Sequence, residues 1–321
     1  MRTDESKNRK RTELHRHLDV SFRASTLADL VKTLGISAPF HDEEEVRTKF
    51  WVTRQMGSLG EVLSCFGIFQ QVLRTPAILE RVAREVIEDA GAEGIGAIEL
   101  RYSPSFTSKV SGLSWGVALD AFLRGLEAGA RATGVNAGLI CIVTRDYGVG
   151  VAGETIDFAI QNKDAFLAVD LAGNEEQFPN KMFVEPFRRA RDAGLHVTIH
   201  AGEACGPESV WDALDLLGAQ RIGHGISSVK DAELMKRLAR DGVLLEICPT
   251  SNFVTRSIPS WDAHPLKRFL DAGIPVSLST DDPGIFGVTL EEEYQRARRL
   301  LGLSDADFDR IDRYARKYTF L

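Results

Sequence analysis

The strongest constraint on this chain is a unit that repeats along it. An amphipathic stretch ends at a glycine, a short β-branched or aliphatic run follows, and the run closes on polar residues. Gly91 precedes the run 96–103, Gly134 precedes 139–143, Gly194 precedes 196–200, Gly218 precedes 221–224, Gly242 precedes 243–248 and Gly273 precedes 274–280. Glycine suits the position just past a helix because it enters the left-handed conformation without a Cβ clash. Two further runs, 12–17 and 166–171, lack that glycine and bring the expected strands to eight. From the third onward they recur at about 23–31 residues, the length of one βα unit. The intervening helices are legible too. Thr75-Pro76 reads as an N-cap with proline in the first turn, and Thr289 with Glu292 reads as a capping box.

Strands that are apolar along most of their length and alternate with helices indicate a parallel sheet. The expected fold is α/β, a (β/α)8 TIM-type barrel with extra helices inserted after the first strand, over residues 26–90. A doubly wound open sheet is the alternative. A chain of 321 residues fits one such barrel. The expected layout is a flexible N-terminal tail over 1–11, polar and mixed in charge, and a single barrel domain over 12–321. In a barrel the residues that follow the strands gather at one mouth, where active sites sit.

Four of these strand ends carry metal-type ligands. They read His15-Arg16-His17-Leu18-Asp19, His200-Ala201-Gly202-Glu203, Gly223-His224-Gly225 and Thr280-Asp281-Asp282-Pro283. The chain has 7 histidines, and most of them fall in these clusters, which points to one site. His15 and His17 are two apart on a strand and share a face. With His200 and Asp281 they make three imidazoles and one carboxylate, a set that suits Zn2+ ahead of Fe2+, Co2+ or Mn2+. Glu203 reaches the same mouth, where a carboxyl can be tuned as a general acid or base. His224 sits between glycines, where backbone can approach a ligand closely. Asp282 adjoins Asp281 at a strand end, where the chain turns and both side chains can contribute. His196 reads as structural, His264 as a helix-cap residue before Pro265, and His41 has no context.

Taken in order, these motifs resemble the adenosine deaminase family, a branch of the metal-dependent amidohydrolases. The resemblance also covers Arg101-Tyr102-Ser103-Pro104, Asp170-Leu171-Ala172-Gly173, Cys248-Pro249-Thr250-Ser251-Asn252 and His264-Pro265-Leu266. It implies a barrel holding one zinc ion per chain through His15, His17, His200 and Asp281. It implies that Glu203 passes a proton to purine N1, and that His224 and Asp282 position and activate the attacking water. Asp19 and Ser103 would touch the ribose or the nearby pocket wall, and Gly173 the purine edge. The implied reaction is hydrolytic deamination of a 6-aminopurine nucleoside. Adenosine and 2′-deoxyadenosine are the first choice, giving inosine or deoxyinosine and ammonia. A 5′-modified nucleoside (6-aminodeoxyfutalosine or 5′-methylthioadenosine) or adenine is the alternative. Val20 stands where the family usually has glycine, so apolar bulk is expected on the sugar side of the pocket. Ser279 stands where asparagine is frequent. Relatives commonly run on past the residues around Tyr318, so a shortened final helix is expected.

Composition removes other classes. The net charge is −7 with no basic block beyond the N-terminus, so a nucleic-acid partner is not expected. No apolar run is long enough for a membrane span. Cys65, Cys141, Cys205 and Cys248 form no CxxC pair. That fits a cytoplasmic protein with reduced thiols, and it excludes the cysteine-rich zinc motif of the cytidine and tRNA deaminases. Cys205 reads as a packed loop residue ahead of a reactive thiol. Residues 148–153 match G-x-G-x-x-G, with Asp170 downstream as a dinucleotide site would have. Arg145-Asp146-Tyr147 separates that motif from its strand, which makes a dehydrogenase the weaker reading. A non-catalytic relative is disfavoured because every ligand and Glu203 are intact.

Overall fold

The structure, a computed structural model, describes residues 10–57 and 59–321. Residues 1–9 of the expected tail lie outside the described residues, and Arg11 already opens the first strand. Eight strands follow: β1 Arg11–His17, β2 Ile95–Tyr102, β3 Asn136–Thr144, β4 Phe166–Ala172, β5 His196–Ala201, β6 Arg221–His224, β7 Leu244–Ile247 and β8 Val276–Leu278. They pair in parallel in chain order. Two main-chain bonds close the ring between its first and last members. His17 N–H donates to Asp281 O at 2.9 Å and Asp281 N–H to His15 O at 3.0 Å. The fold is therefore the barrel and not the open sheet.

The helices inserted between β1 and β2 are Ala24–Leu34, Glu43–Glu45, Leu59–Ser64, Phe66–Val72 and Pro76–Ala92. Thr75 caps the last of these by accepting Ile78 N–H, and Thr289 and Glu292 form the expected box. One glycine behaves differently from expectation. Gly91 lies inside its helix, where a Cβ would stand 2.9 Å from the Thr133 side chain. The left-handed residue that ends the helix is Gly94, at φ 78°. No helix among the described residues is long and apolar enough to cross a membrane.

Leucine, isoleucine, valine and phenylalanine fill the shell between strands and helices. The barrel interior also carries buried charge. Arg221 pairs with Glu99 at 2.5 Å and with Glu246 at 2.8 Å, and Arg101 pairs with Glu246 at 2.8 Å and with Asp170 at 2.9 Å. Arg101 also donates to Leu14 O at 2.6 Å. Such groups persist when buried only if each charge is matched. Burial opposes ionisation of Glu246, but Arg101 and Arg221 outweigh it and hold its carboxyl well below the usual range. At the base, Thr319 Oγ1 donates to Glu99 at 2.7 Å, and the Phe320 ring lies 3.8 Å from the Arg221 guanidinium.

One buried histidine bears on stability. His264 Nδ1 accepts Leu266 N–H at 3.1 Å, the cap role expected, while its Nε2 is buried with no hydrogen-bond partner. Burial lowers its pKa to about 3. A depressed histidine pKa means that protons favour the unfolded chain. The contribution is present above the unfolded value and is lost as pH falls from about 6.5 toward 3. At pH 5 the loss is about 2 kcal/mol. Urea unfolding at pH 7.5 and pH 5 should therefore reveal a smaller acid-induced loss in His264→Gln than in wild type; equal losses would contradict this assignment.

Candidate active site

Nine of the ten expected site residues line one cavity of about 280 Å3 at the C-terminal mouth: His17, Asp19, Ser103, Gly173, His200, Glu203, His224, Asp281 and Asp282. The tenth, His15, is fully buried beneath them. The rest of the wall includes Val62, Leu63, Phe66, Phe106, Ile142 and Tyr147.

Strand geometry brings the imidazoles together. His15 and His17 end β1, His200 lies at the end of β5 and His224 ends β6. The His15 ring centroid is 4.6 Å from that of His200 and 5.0 Å from that of His224. Asp281 Oδ1 lies 3.1 Å from His15 Nε2 and 3.2 Å from His17 Nε2. The donor atoms of His15, His200, His224 and Asp281 fall within 4.8 Å of one another, as do those of His17, Asp281 and Asp282.

Backbone shape contributes. His224 and Asp281 are both left-handed, at φ 63°, a conformation uncommon for non-glycine residues that clusters at functional sites. Gly223 makes room for the cluster. A Cβ there would lie 3.1 Å from His15 Cε1 and 3.3 Å from His200 Cγ.

The far nitrogens distinguish the rings. His15 Nδ1 lies 2.8 Å from Glu246 Oε2, and His200 Nδ1 lies 3.0 Å from Asp170 Oδ2. Each carboxylate accepts a hydrogen bond from Nδ1–H, so both Nε2 lone pairs face the cluster, the arrangement of a carboxylate-backed metal ligand. His224 is the opposite case. The Asn252 amide Nδ2 lies 3.1 Å from its Nδ1. An amide nitrogen can only donate, so Nε2 carries the proton and His224 faces the cavity as a donor. Burial lowers His200 to about 3 against the pull of Asp170, leaving the neutral form that metals bind. Burial also opposes charge on His17, yet Asp282 and Asp281 outweigh it and raise His17 to about 9. The site calls for positive charge there. Asp282 Oδ1 is buried with no partner. Converging lone pairs, carboxylates and an unpaired oxygen fit a divalent metal.

Around that cluster burial shifts the carboxyls upward. Glu203 is pushed up to about 8 by burial, then by Asp281 and Glu175. Its Oε2 lies 3.5 Å from His224 Nε2. Asp282 is pushed well up by burial and by Asp281. Asp19, raised to about 6 by burial, accepts Ser103 N–H at 3.1 Å. Ser103 Oγ caps the helix Pro104–Ser111 and lies 2.7 Å from Thr144 Oγ1. Gly173, at φ 110°, has no room for a side chain, because a Cβ would meet Asp146 Oδ2 at 2.1 Å.

Comparison with known proteins decides the family. The profile described as Adenosine deaminase matches residues 10–321. This chain belongs to the adenosine deaminase family. It is 40% identical to the adenosine deaminase of Shigella dysenteriae over 293 residues, 91% of this chain and 88% of that one. Among solved structures, adenine deaminase from Arthrobacter aurescens superposes with a TM-score of 0.90 at 26% identity, covering 97% of this chain and 94% of that one. An amidohydrolase from Burkholderia ambifaria with bound Zn gives 0.88 at 26% identity, covering 97% and 86%. Arabidopsis ADAL complexed with IMP gives 0.84 at 32% identity, covering 97% and 92%.

Within the family's barrel, several expectations need correction or closure. Val20 does not add bulk to the pocket. It is fully buried in the apolar core, and its carbonyl backs onto Gly284. β1 ends at His17 and Leu18–Val20 turns as a 3-10 helix, so Asp19 faces the cavity while Val20 turns away. Ser279 is buried with its hydroxyl unpaired, and nothing in the structure explains serine there. Residues 148–153 open the helix Gly148–Gln161, and Asp170 is spent on Arg101 and His200. The Cys205 thiol is pushed up to about 11, chiefly by burial, which disfavours a reactive thiolate. His196 stacks on Phe320 at the far end of the barrel, with ring centroids 4.5 Å apart. Sequence reasoning missed Asn252, Glu246 and Arg101 as supports of the cluster. Asn252 and Arg101 stood inside motifs already noted, without an assigned role.

Proposed function

We propose that this hydrolytic deaminase of adenine-type substrates acts on adenosine and 2′-deoxyadenosine. One observation carries the choice. Beyond the imidazole cluster the described lining brings Asp19 and Asp146 and no lysine or arginine. A 5′-phosphate would meet carboxylates with no compensating cation, at a cost of about 1–4 kcal/mol per close pair. An uncharged ribose hydroxyl can instead donate to Asp19. Adenine would leave that acceptor unused, and the higher identity to adenosine deaminase also favours the nucleoside.

His15, His17, His200 and Asp281 are assigned as ligands of one Zn2+ per chain, a reading supported by the convergence of His15, His200 and Asp281, by the approach of His17 to Asp281 and by the zinc-bound relative. When bound, the ion supplies a Lewis acid that makes water a nucleophile near neutral pH. Glu203, kept protonated by its surroundings, gives its proton to purine N1, which opens C6 to addition. With the metal's charge beside it Asp282 would be ionised, and with His224 Nε2–H it would hold the attacking water and accept its proton. Asp282 returns that proton to the C6 amine, which leaves as ammonia, and the C6 hydroxyl proton restores Glu203. Residues 12–321 are assigned to one domain, in line with the span of the family match. The unpaired cysteines support a reducing, cytoplasmic setting.

The test is kcat/KM for adenosine, 2′-deoxyadenosine, 5′-methylthioadenosine, adenine and AMP. Adenosine should exceed AMP by at least about 30-fold, as two close repulsive pairs of about 1 kcal/mol or more imply. A preference for AMP or adenine would overturn the substrate assignment.

A further inference from the structure

Just past β4, Glu175 is nearly fully buried, and its carboxylate sits inside the loop that follows β5. Oε1 accepts Gly202 N–H at 2.6 Å. Oε2 accepts Glu203 N–H at 3.2 Å, Ala204 N–H at 2.9 Å and Cys205 N–H at 3.1 Å. Ser209 Oγ donates to Oε1 as well. Four consecutive main-chain donors therefore wrap one carboxylate supplied by a different strand's loop. A loop that turns so sharply has no ladder to satisfy its N–H groups, and an ionised carboxylate is the one side chain with acceptors only and enough of them.

We infer that Glu175 is a positioning residue for Glu203. It fixes the backbone from which Glu203 reaches into the cavity, and so the distance of the Glu203 carboxyl from His224 and from a bound base. This rests on the reading of Glu203 as proton donor. Glutamine at 175 keeps the size but turns an NH2 toward N–H donors, so part of the wrap must open. Aspartate keeps the acceptors on a shorter stem.

The experiment measures kcat, KM and metal content for Glu175→Gln, Glu175→Asp, Glu203→Gln and both Glu175 variants combined with Glu203→Gln. The neighbouring exposed Glu176→Gln is the control. In Glu175→Gln, kcat should fall about 10²-fold, the effect of a misplacement near 1 Å, with metal content and KM near wild type. Glu175→Asp should lie between. In the Glu203→Gln background either change should cost no more than about 2-fold, because coupled residues are not additive. If Glu175→Gln does not fold, Glu175→Asp and its double variant carry the same comparison. Wild-type kcat in the folded Glu175 variants, or an undiminished loss on top of Glu203→Gln, would overturn the positioning role alone. Near-native turnover in Glu203→Gln would overturn the proton-donor reading beneath it.

Discussion

Glu203→Gln lowers turnover by at least about 10²-fold, the lower end of general-acid effects, while the metal stays bound. The amide keeps the shape and one acceptor of the side chain but has no proton to give at neutral pH. Glu203 is placed for that task by burial, which with Asp281 and Glu175 pushes it up to about 8. Burial disfavours the charged form. Its carboxyl lies 3.5 Å from His224 Nε2 and belongs to neither group of close-set donor atoms, so metal content should not follow turnover. Steady-state kinetics beside metal analysis of the same samples checks both halves. Near-native turnover would place the proton elsewhere.

The second large effect separates ligands from the neighbouring donor. His200→Ala and Asp281→Ala should each release the metal and abolish measurable turnover. His224→Ala should retain the metal and lose turnover by about 10²-fold or more, the scale of a lost transition-state donor. The distinction follows from the far nitrogens, since Asp170 backs His200 while the Asn252 amide backs His224. The spacing of donor atoms alone would have grouped His224 with the ligands. Equal metal loss in His200→Ala and His224→Ala would show that proton placement on His224 is the reverse of the one assigned. Full occupancy in His200→Ala would remove it from the ligand set.

Much of this was legible along the chain because a strand end is a one-dimensional signal. A glycine, an apolar run and a polar cluster specify where a strand stops, and in a parallel barrel all such stops share a mouth. His15, His17, His200, His224 and Asp281 were found this way. Alternation says which residues share a face, but not whether that face looks into the barrel or out to the helices. Arg101, Asp170 and Glu246 were therefore not recognisable as one inner charge group in which Asp170 backs His200, Glu246 backs His15 and Arg101 pairs with both carboxylates. Val20 was misplaced because its position after Asp19 in the family motif was read as a position in the pocket, whereas past His17 the chain becomes a 3-10 turn that separates the two side chains. Glu175 left no signal, since its partners are main-chain N–H groups that every sequence possesses.

The closure between β1 and β8 bears on how the protein is made. The proposed donor set spans residues 15 to 281, and His17 and Asp281 meet only through the seam that completes the ring. A nascent chain still lacking its eighth strand holds the His-x-His pair but no fourth ligand. The metal therefore cannot nucleate this fold as zinc nucleates a small finger, where ligands lie close in sequence. On this ligand assignment loading would follow assembly of the barrel, and the ion would then clasp the two strands synthesised furthest apart.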